Sequence, residues 1–213
     1  MPSSAPDTIP AVVNLIWELA PRSILDIGAG NGKYGVLFRD YLEQRLLDIK
    51  DNLPVSRVAR VDAVEGFQNY IGPLHKVVYD NIYVQLIENF VLGDEFTEYD
   101  LIYAGDVIEH LEKQVAMEVV IPNLLQKSRM GVLISVPWRV AEQAAVYGNE
   151  LERHRSQWSR ADFASLAPHS YIGRKSNHLL AFLSLEESNV KALKRRRAKN
   201  WLRNIVSAAV DTW

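Results

Sequence analysis

The chain has 213 residues, of which 48% are hydrophobic and 23% charged, enough to bury one ordinary core without a second domain. It contains no cysteine, which excludes disulfides, cysteine-ligated zinc and thiol catalysis and leaves any metal to histidines and carboxylates. The formal net charge of −2 gives no whole-molecule attraction for polyanions, the first ten residues lack the features of a signal peptide, and no apolar run reaches the roughly 18 residues of a membrane span, so a soluble, cytoplasmic protein is expected.

In chain order, residues 9–19 predict a helix with Val12, Val13, Ile16 and Leu19 near one face and Pro21 after its end. Ser23–Ile27 reads as a buried strand, Gly28-Ala29-Gly30-Asn31-Gly32 interrupts it, and residues 34–47 turn helical. A second strand is expected over 58–64, closing at Glu65-Gly66, followed by a helix over Pro73–Val78 and a short strand at Ile82–Val84. Residues 100–104 form a stronger strand before Gly105-Asp106, with a helix over 113–126 and another strand over 131–136 that Pro137 stops. Residues 138–158 are polar, aromatic and weakly periodic, which suits a segment covering an active site. Arg160–Leu166 predicts a short helix, His178–Ser184 a late antiparallel edge strand, and the chain from Glu186 a final helix. The alternation predicts an α/β, Rossmann-like, mostly parallel sheet with helices on both faces and a cleft beyond the carboxyl ends of its strands.

The densest signal is Asp26-Ile27-Gly28-Ala29-Gly30-Asn31-Gly32-Lys33. Glycines let a ligand approach the backbone, and the following helix offers unpaired amides and a positive end to a phosphate or carboxylate. The spacing alone also suits a nicotinamide or flavin site, or a tight turn with no ligand. Two further segments follow: Val61-Asp62-Ala63-Val64-Glu65-Gly66, and the run from Asp100 to Leu111 that contains Asp106-Val107-Ile108-Glu109-His110.

Taken in order, the three segments resemble class I S-adenosylmethionine-dependent methyltransferases over about residues 20–140, with Asp26, Gly28, Gly30 and Gly32 matching the first motif position by position. The resemblance implies S-adenosylmethionine as cofactor, Asp26 orienting its methionine portion, the glycine turn making room for it and Glu65 accepting from its ribose hydroxyls; Asp106 joins this cofactor-binding set. The structural alternatives are that Asp26 caps the turn, Glu65 is a solvated strand-end acid and Asp106 caps a helix.

Asp106 and His110 stand four apart, so a helix there brings them toward one face, where a carboxylate holds a base. In the alternative, Glu109 caps an amide and His110 fills a packing position. Together with Glu150-Leu151-Glu152-Arg153-His154-Arg155-Ser156-Gln157-Trp158, this stretch partly resembles small-RNA terminal 2'-O-methyltransferases and ubiquinone-pathway O-methyltransferases. Those groups carry a Glu-x-x-Glu-His segment that binds a divalent metal, and the RNA enzymes add a His four residues before a Trp. The match is Asp106-x-x-Glu109-His110 with His154-x-x-x-Trp158, and Asp stands in the first position in place of Glu. The resemblance implies a mixed carboxylate and imidazole site better suited to Mn²⁺, Fe²⁺ or Zn²⁺ than to Mg²⁺. A metal-free arrangement is expected in preference, with His110 and His154 catalytic and Glu109 orienting one of them. Trp138 and Trp158 form an acceptor wall or pack in the core, and Tyr147 and Asn149 orient substrate or make ordinary loop hydrogen bonds.

Lys191, Lys194, Arg195, Arg196, Arg197, Lys199 and Arg203 form a basic run, interleaved with an apolar stripe of Val190, Leu193, Trp201, Leu202, Ile205 and Ala209. A terminal helix docked by its apolar face, charges in water, is the expected arrangement, with nucleic acid or an anionic membrane surface as the functional rivals. Residues 1–185 are expected to form the methyltransferase domain and 186–213 a basic helical extension packed on or adjoining it. The expected activity is methyl transfer to an oxygen or nitrogen of a small molecule. Its alternatives are RNA 2'-O-methylation, a nicotinamide-dependent oxidoreductase and a non-catalytic cofactor-binding scaffold.

Overall fold

Every residue of β1 (Ser23–Ile27) is buried, because a central parallel strand is covered on both faces. The computed structural model describes residues 6–46, 57–138, 143–146, 148–175 and 177–210, and the side chains of the same residues except Asp7 and 199–210. β1 pairs in parallel with β2 (Arg60–Glu65) on one side and β4 (Tyr99–Gly105) on the other, so Asp26 lies between Ala63 and Tyr103. β3 (Ile82–Val84) extends the sheet beyond β2, and β5 (Ser128–Pro137) beyond β4, both in parallel. β7 (His178–Ser184) runs antiparallel to β5, and β6 (His169–Lys175) antiparallel to β7.

The order β3-β2-β1-β4-β5-β7-β6 reverses its direction of growth at β1. The loops leaving β1 and β4 therefore diverge to opposite faces and open a crevice at their carboxyl ends. Alternate strand residues feed two apolar clusters. Ile24, Val61, Leu101, Leu133 and Phe182 meet α1 (Ile9–Leu19), α2 (Lys33–Leu46), the end of α3 (Pro73–Val78) and the start of α8 (Glu187–Val210). Leu25, Ile27, Ile102, Val132 and Ile134 meet α4 (Ile87–Phe90), the helix after β4 and α7 (Arg160–Leu166). α7 starts at a reciprocal cap, Ser159 with Asp162, and plants Phe163 in the second cluster.

The helix expected over 113–126 is present as α5 (Lys113–Val115), a π-helical stretch Ala116–Val120 and α6 (Ile121–Gln126). Pro122 has no N–H to donate, and the widened turn ahead of it accommodates the missing bond. The expected antiparallel strand is β7, which lies one place in from the edge. Its seven residues are all buried, as a strand flanked on both sides requires. The edge itself is β6, unmarked in the sequence because Gly173, Arg174 and Lys175 break any apolar alternation.

Val190 and Leu193 are buried in the first cluster, and the Arg196 guanidinium donates to the Glu18 carbonyl, joining α8 to α1. The expectations for Leu47 and Tyr147, and for the side chains of Lys199, Trp201, Leu202, Arg203, Ile205 and Ala209, lie outside the described residues. No helix among the described residues is long and apolar enough to cross a membrane.

Candidate functional site

A cleft of about 650 Å³ opens at the β1/β4 crevice and is lined by residues from the ends of β1, β2 and β4, from α2 and from the segment 143–155. That volume falls within the roughly 300–1,000 Å³ of small-molecule sites.

One arm of the cleft is the glycine turn. Gly28, Gly30 and Gly32 have φ of +70°, +53° and +79°, the left-handed region that glycine enters without strain. At Gly28 a Cβ would lie 2.4 Å from Val107 Cγ2, so close approach as well as dihedral angle requires glycine. The Gly28 N–H donates to the Val64 carbonyl at 2.8 Å, the Gly32 N–H to the Ala29 carbonyl at 2.8 Å and the Gly30 N–H to Glu65 Oε2 at 2.8 Å. The other Glu65 oxygen accepts the Phe67 N–H at 2.8 Å. Glu65 is thus no solvated strand-end acid: it is buried, and it ties β2 to the turn. Burial pushes its pKa up against these two amide bonds, and each oxygen keeps an acceptor position.

Asp26 is 2% exposed and accepts the Tyr79 hydroxyl at 2.5 Å. Burial raises its pKa to about 7, with the Tyr79 bond opposing, Glu65 adding to the rise and Lys33 opposing it. Lys33 opens α2 and lines the same cleft; burial lowers its pKa while Asp106 and Asp26 pull the other way.

The other arm follows β4. Asp106 is left-handed, φ +55°, a conformation Asp tolerates better than most residues, and its N–H donates to the Ser135 carbonyl at 2.9 Å. It caps no helix. Residues Ile108–His110 form a 3₁₀ turn with Val107 at its cap, and the α-helix begins only at Lys113, which overturns the expected i, i+4 helical pairing of Asp106 with His110. Instead Asp106 Oδ1 lies 3.3 Å from His178 Nε2, outside hydrogen-bond alignment.

Glu109 is 3% exposed, and neither carboxylate oxygen has a hydrogen-bond partner, so it does not serve as an amide cap. Burial drives its pKa well above the usual carboxylate range, and Asp106 adds to the rise. Glu109, His110 and His154 each bring a ligand-capable atom into a group within 4.8 Å, and the two imidazole rings are 5.0 Å apart. Asp106 is not in that group. His110 has its pKa lowered by burial, and its Nδ1 is 3.2 Å from the Arg153 carbonyl.

From the segment expected to cover the site, Gln143, Asn149, Leu151, Glu152, His154 and Arg155 line the cleft. The Tyr70 hydroxyl donates to Glu152 Oε1 at 2.8 Å, and the Arg155 and Ser156 amides donate to the Glu109 carbonyl at 2.8 and 3.0 Å. Asn149 makes the ordinary loop bond, accepting the Leu151 N–H at 3.0 Å. Trp158 stacks on Phe163 in the core, Trp138 packs against the same cluster, and neither lines the cleft.

Lys33, Tyr70, Leu86 and His178 line the cleft and were not singled out in the sequence as site residues. Lys33 sits inside the glycine motif and was readable there. His178 was not, since only the reversal of β7 brings its first residue to the end of the sheet where the parallel strands finish.

No protein-family model matches the sequence, and no curated protein matches it. Solved structures do. The methyltransferase domain of bacterial CtHen1 superposes with a TM-score of 0.56 at 16% identity, over 84% of this chain and 98% of that one. The 1,6-didemethyltoxoflavin-N1-methyltransferase of Burkholderia thailandensis, solved with 1,6-didemethyltoxoflavin and S-adenosylhomocysteine, gives 0.56 at 18% identity over 83% and 76%. The O-methyltransferase NcsB1 from neocarzinostatin biosynthesis, solved with S-adenosylhomocysteine and 1,4-dihydroxy-2-naphthoic acid, gives 0.55 at 11% over 83% and 53%. The chain has the Rossmann-like fold of class I S-adenosylmethionine-dependent methyltransferases.

Proposed function

We propose that the protein transfers the methyl group of S-adenosylmethionine to an oxygen or nitrogen of a small molecule. One observation carries the reading: a single cleft has Asp26, the open glycine turn and Glu65 along one arm, and Glu109, His110 and His154 along the other. In this reading Asp26, Gly28, Gly30, Gly32, Glu65 and Asp106 hold the cofactor, and the acceptor enters beside the two imidazoles. The acceptor's lone pair attacks the methyl carbon, the carbon–sulfur bond breaks toward sulfur, and a neutral thioether leaves. The protein's part is to align the two reactants and exclude water. Burial lowers the His110 pKa, which favours the neutral imidazole that can take the acceptor's proton. We assign residues 1–185 to the catalytic domain and 186–213 to a basic extension, and the burial of Val190 and Leu193 supports the docking of that extension on the domain. The two like-fold enzymes solved with small acceptors support the substrate class, and the cysteine-free chain suits the cytoplasm.

Calorimetry with S-adenosylmethionine, followed by detection of S-adenosylhomocysteine over an acceptor panel, tests the proposal. Binding and turnover are expected. Uptake of a nicotinamide dinucleotide with none of S-adenosylmethionine would reassign the cleft to an oxidoreductase, and cofactor binding without turnover would favour a scaffold.

A second reading, RNA 2'-O-methylation, has the unpartnered Glu109 carboxylate behind it. Glu109, His110 and His154 fit a divalent metal, since a buried carboxylate with no hydrogen bonds is what a missing cation leaves, and the donor set suits Mn²⁺ or Fe²⁺. Such an ion lowers the pKa of a hydroxyl beside it. Mn²⁺ titration followed by electron paramagnetic resonance tests the metal site, and methylation of an RNA 3' end separates this reading from a metal-dependent small-molecule methyltransferase. Binding lost in Glu109→Gln, with methylation of an RNA 3' end, favours this reading; no Mn²⁺ uptake removes it.

A further inference from the structure

The middle glycine of the turn is gripped through both of its backbone polar groups, and one of the two partners, His75, has no part in the cofactor reading. Its N–H is held by Glu65, and its carbonyl lies 2.9 Å from Nε2 of His75, a residue of α3 only 2% exposed. The Gly72 N–H donates to His75 Nδ1 at 3.1 Å, so that nitrogen carries no proton and Nε2 must be the one that donates to Gly30. One helical turn on, at the cap of α3, Tyr79 sends its hydroxyl to Asp26. The His75 and Tyr79 rings are 5.9 Å apart, an i, i+4 pair on one ridge. That ridge fits against the start of α2 because Gly35 faces it: a Cβ there would lie 2.4 Å from Tyr79 Cζ.

We propose that His75 is a positioning residue for the cofactor, its imidazole fixing the Gly30 carbonyl so that the glycine turn is set in its binding conformation before the ligand arrives, with Tyr79 setting Asp26 from the same helix. The inference rests on the cofactor reading of the cleft. A turn with three left-handed glycines has more conformational freedom than one built from residues with a β-carbon, so its open arrangement is one among several. A fixed donor on the Gly30 carbonyl selects that arrangement, and ligand binding then does not have to order it. Without the donor the half-buried carbonyl loses its His75 partner and the peptide is free to turn over.

The test is S-adenosylhomocysteine binding by calorimetry to the full-length wild type, His75→Gln and His75→Phe, alongside hydrogen exchange of the turn without ligand. His75→Phe keeps a ring against Tyr79 but removes the donor, and His75→Gln restores an amide donor. His75→Phe is expected to lose about tenfold in affinity and exchange faster at residues 28–33, while His75→Gln stays within about threefold of wild type. Equal unfolding midpoints for the two unliganded variants separate positioning from a merely structural role. If His75→Phe does not fold, His75→Leu takes its place in the same comparison. Wild-type affinity and exchange in the donor-free variant overturn the inference and leave the cofactor reading standing; wild type that takes up no S-adenosylhomocysteine overturns both.

Discussion

Asp26 is held where a carboxylate is costly. An acid with a folded-state pKa near 7, against an unfolded value near 3.8, binds more protons when folded than when unfolded. It therefore takes stability away as pH rises from about 4 through 7, and the deficit is complete above that. Asp26→Asn is expected to match wild type near pH 4 and to unfold at higher urea at pH 8, yet to bind S-adenosylhomocysteine at least about tenfold more weakly. Undiminished affinity would remove Asp26 from the cofactor site. The requirement at Gly28 is steric. Adding a methyl there drives it into Val107, so Gly28→Ala should cost about 1–3 kcal/mol in urea unfolding, and Val107→Ala should return part of that loss because the two side chains share one space. At this scale the sequence was legible wherever a residue's neighbours are also its neighbours in the chain: Asp26, Gly28, Gly30, Glu65, Glu109 and His110 line the cleft, whereas Gly32 faces His75 and Leu74 behind it. The identity of each partner was not legible. That Glu65 holds Gly30, or that Asp106 faces His178 rather than His110, depends on contacts between residues 35 and 72 positions apart.

Among the elements, long buried strands and amphipathic helices were readable because burial repeats at a fixed period in the sequence. β1 was found with the expected ends, and β2, β4 and β5 with ends that moved by a few residues. α4, with four residues, is too short for a period, and β6 sits at an edge where solvent tolerates Gly173 and the cations. α8 carries a prediction of its own. Leu193 is completely buried against α1 and the sheet, so Leu193→Ala should destabilise the protein by about 2–5 kcal/mol in urea unfolding. A negligible loss would mean that the helix contributes nothing to the core and that the division at residue 185 separates independent parts.

For the molecule as a whole, the cofactor cradle draws on β1, β2 and β4 together with α3, elements distributed over the first half of the chain. A ligand that fills it binds the folded state only. At a hundredfold excess over its dissociation constant, S-adenosylhomocysteine should add about 2.7 kcal/mol and raise the thermal midpoint by roughly 5–10 °C in a scanning-fluorimetry experiment. A nicotinamide dinucleotide should leave it unmoved. The reversed run of β7 has a consequence for substitutions. Its first residue, His178, reaches the cleft from a hairpin with β6 that shares no backbone pairing with β1 or β2. A substitution at that position therefore alters the far end of the cleft while leaving every backbone pairing of β1 and β2 untouched.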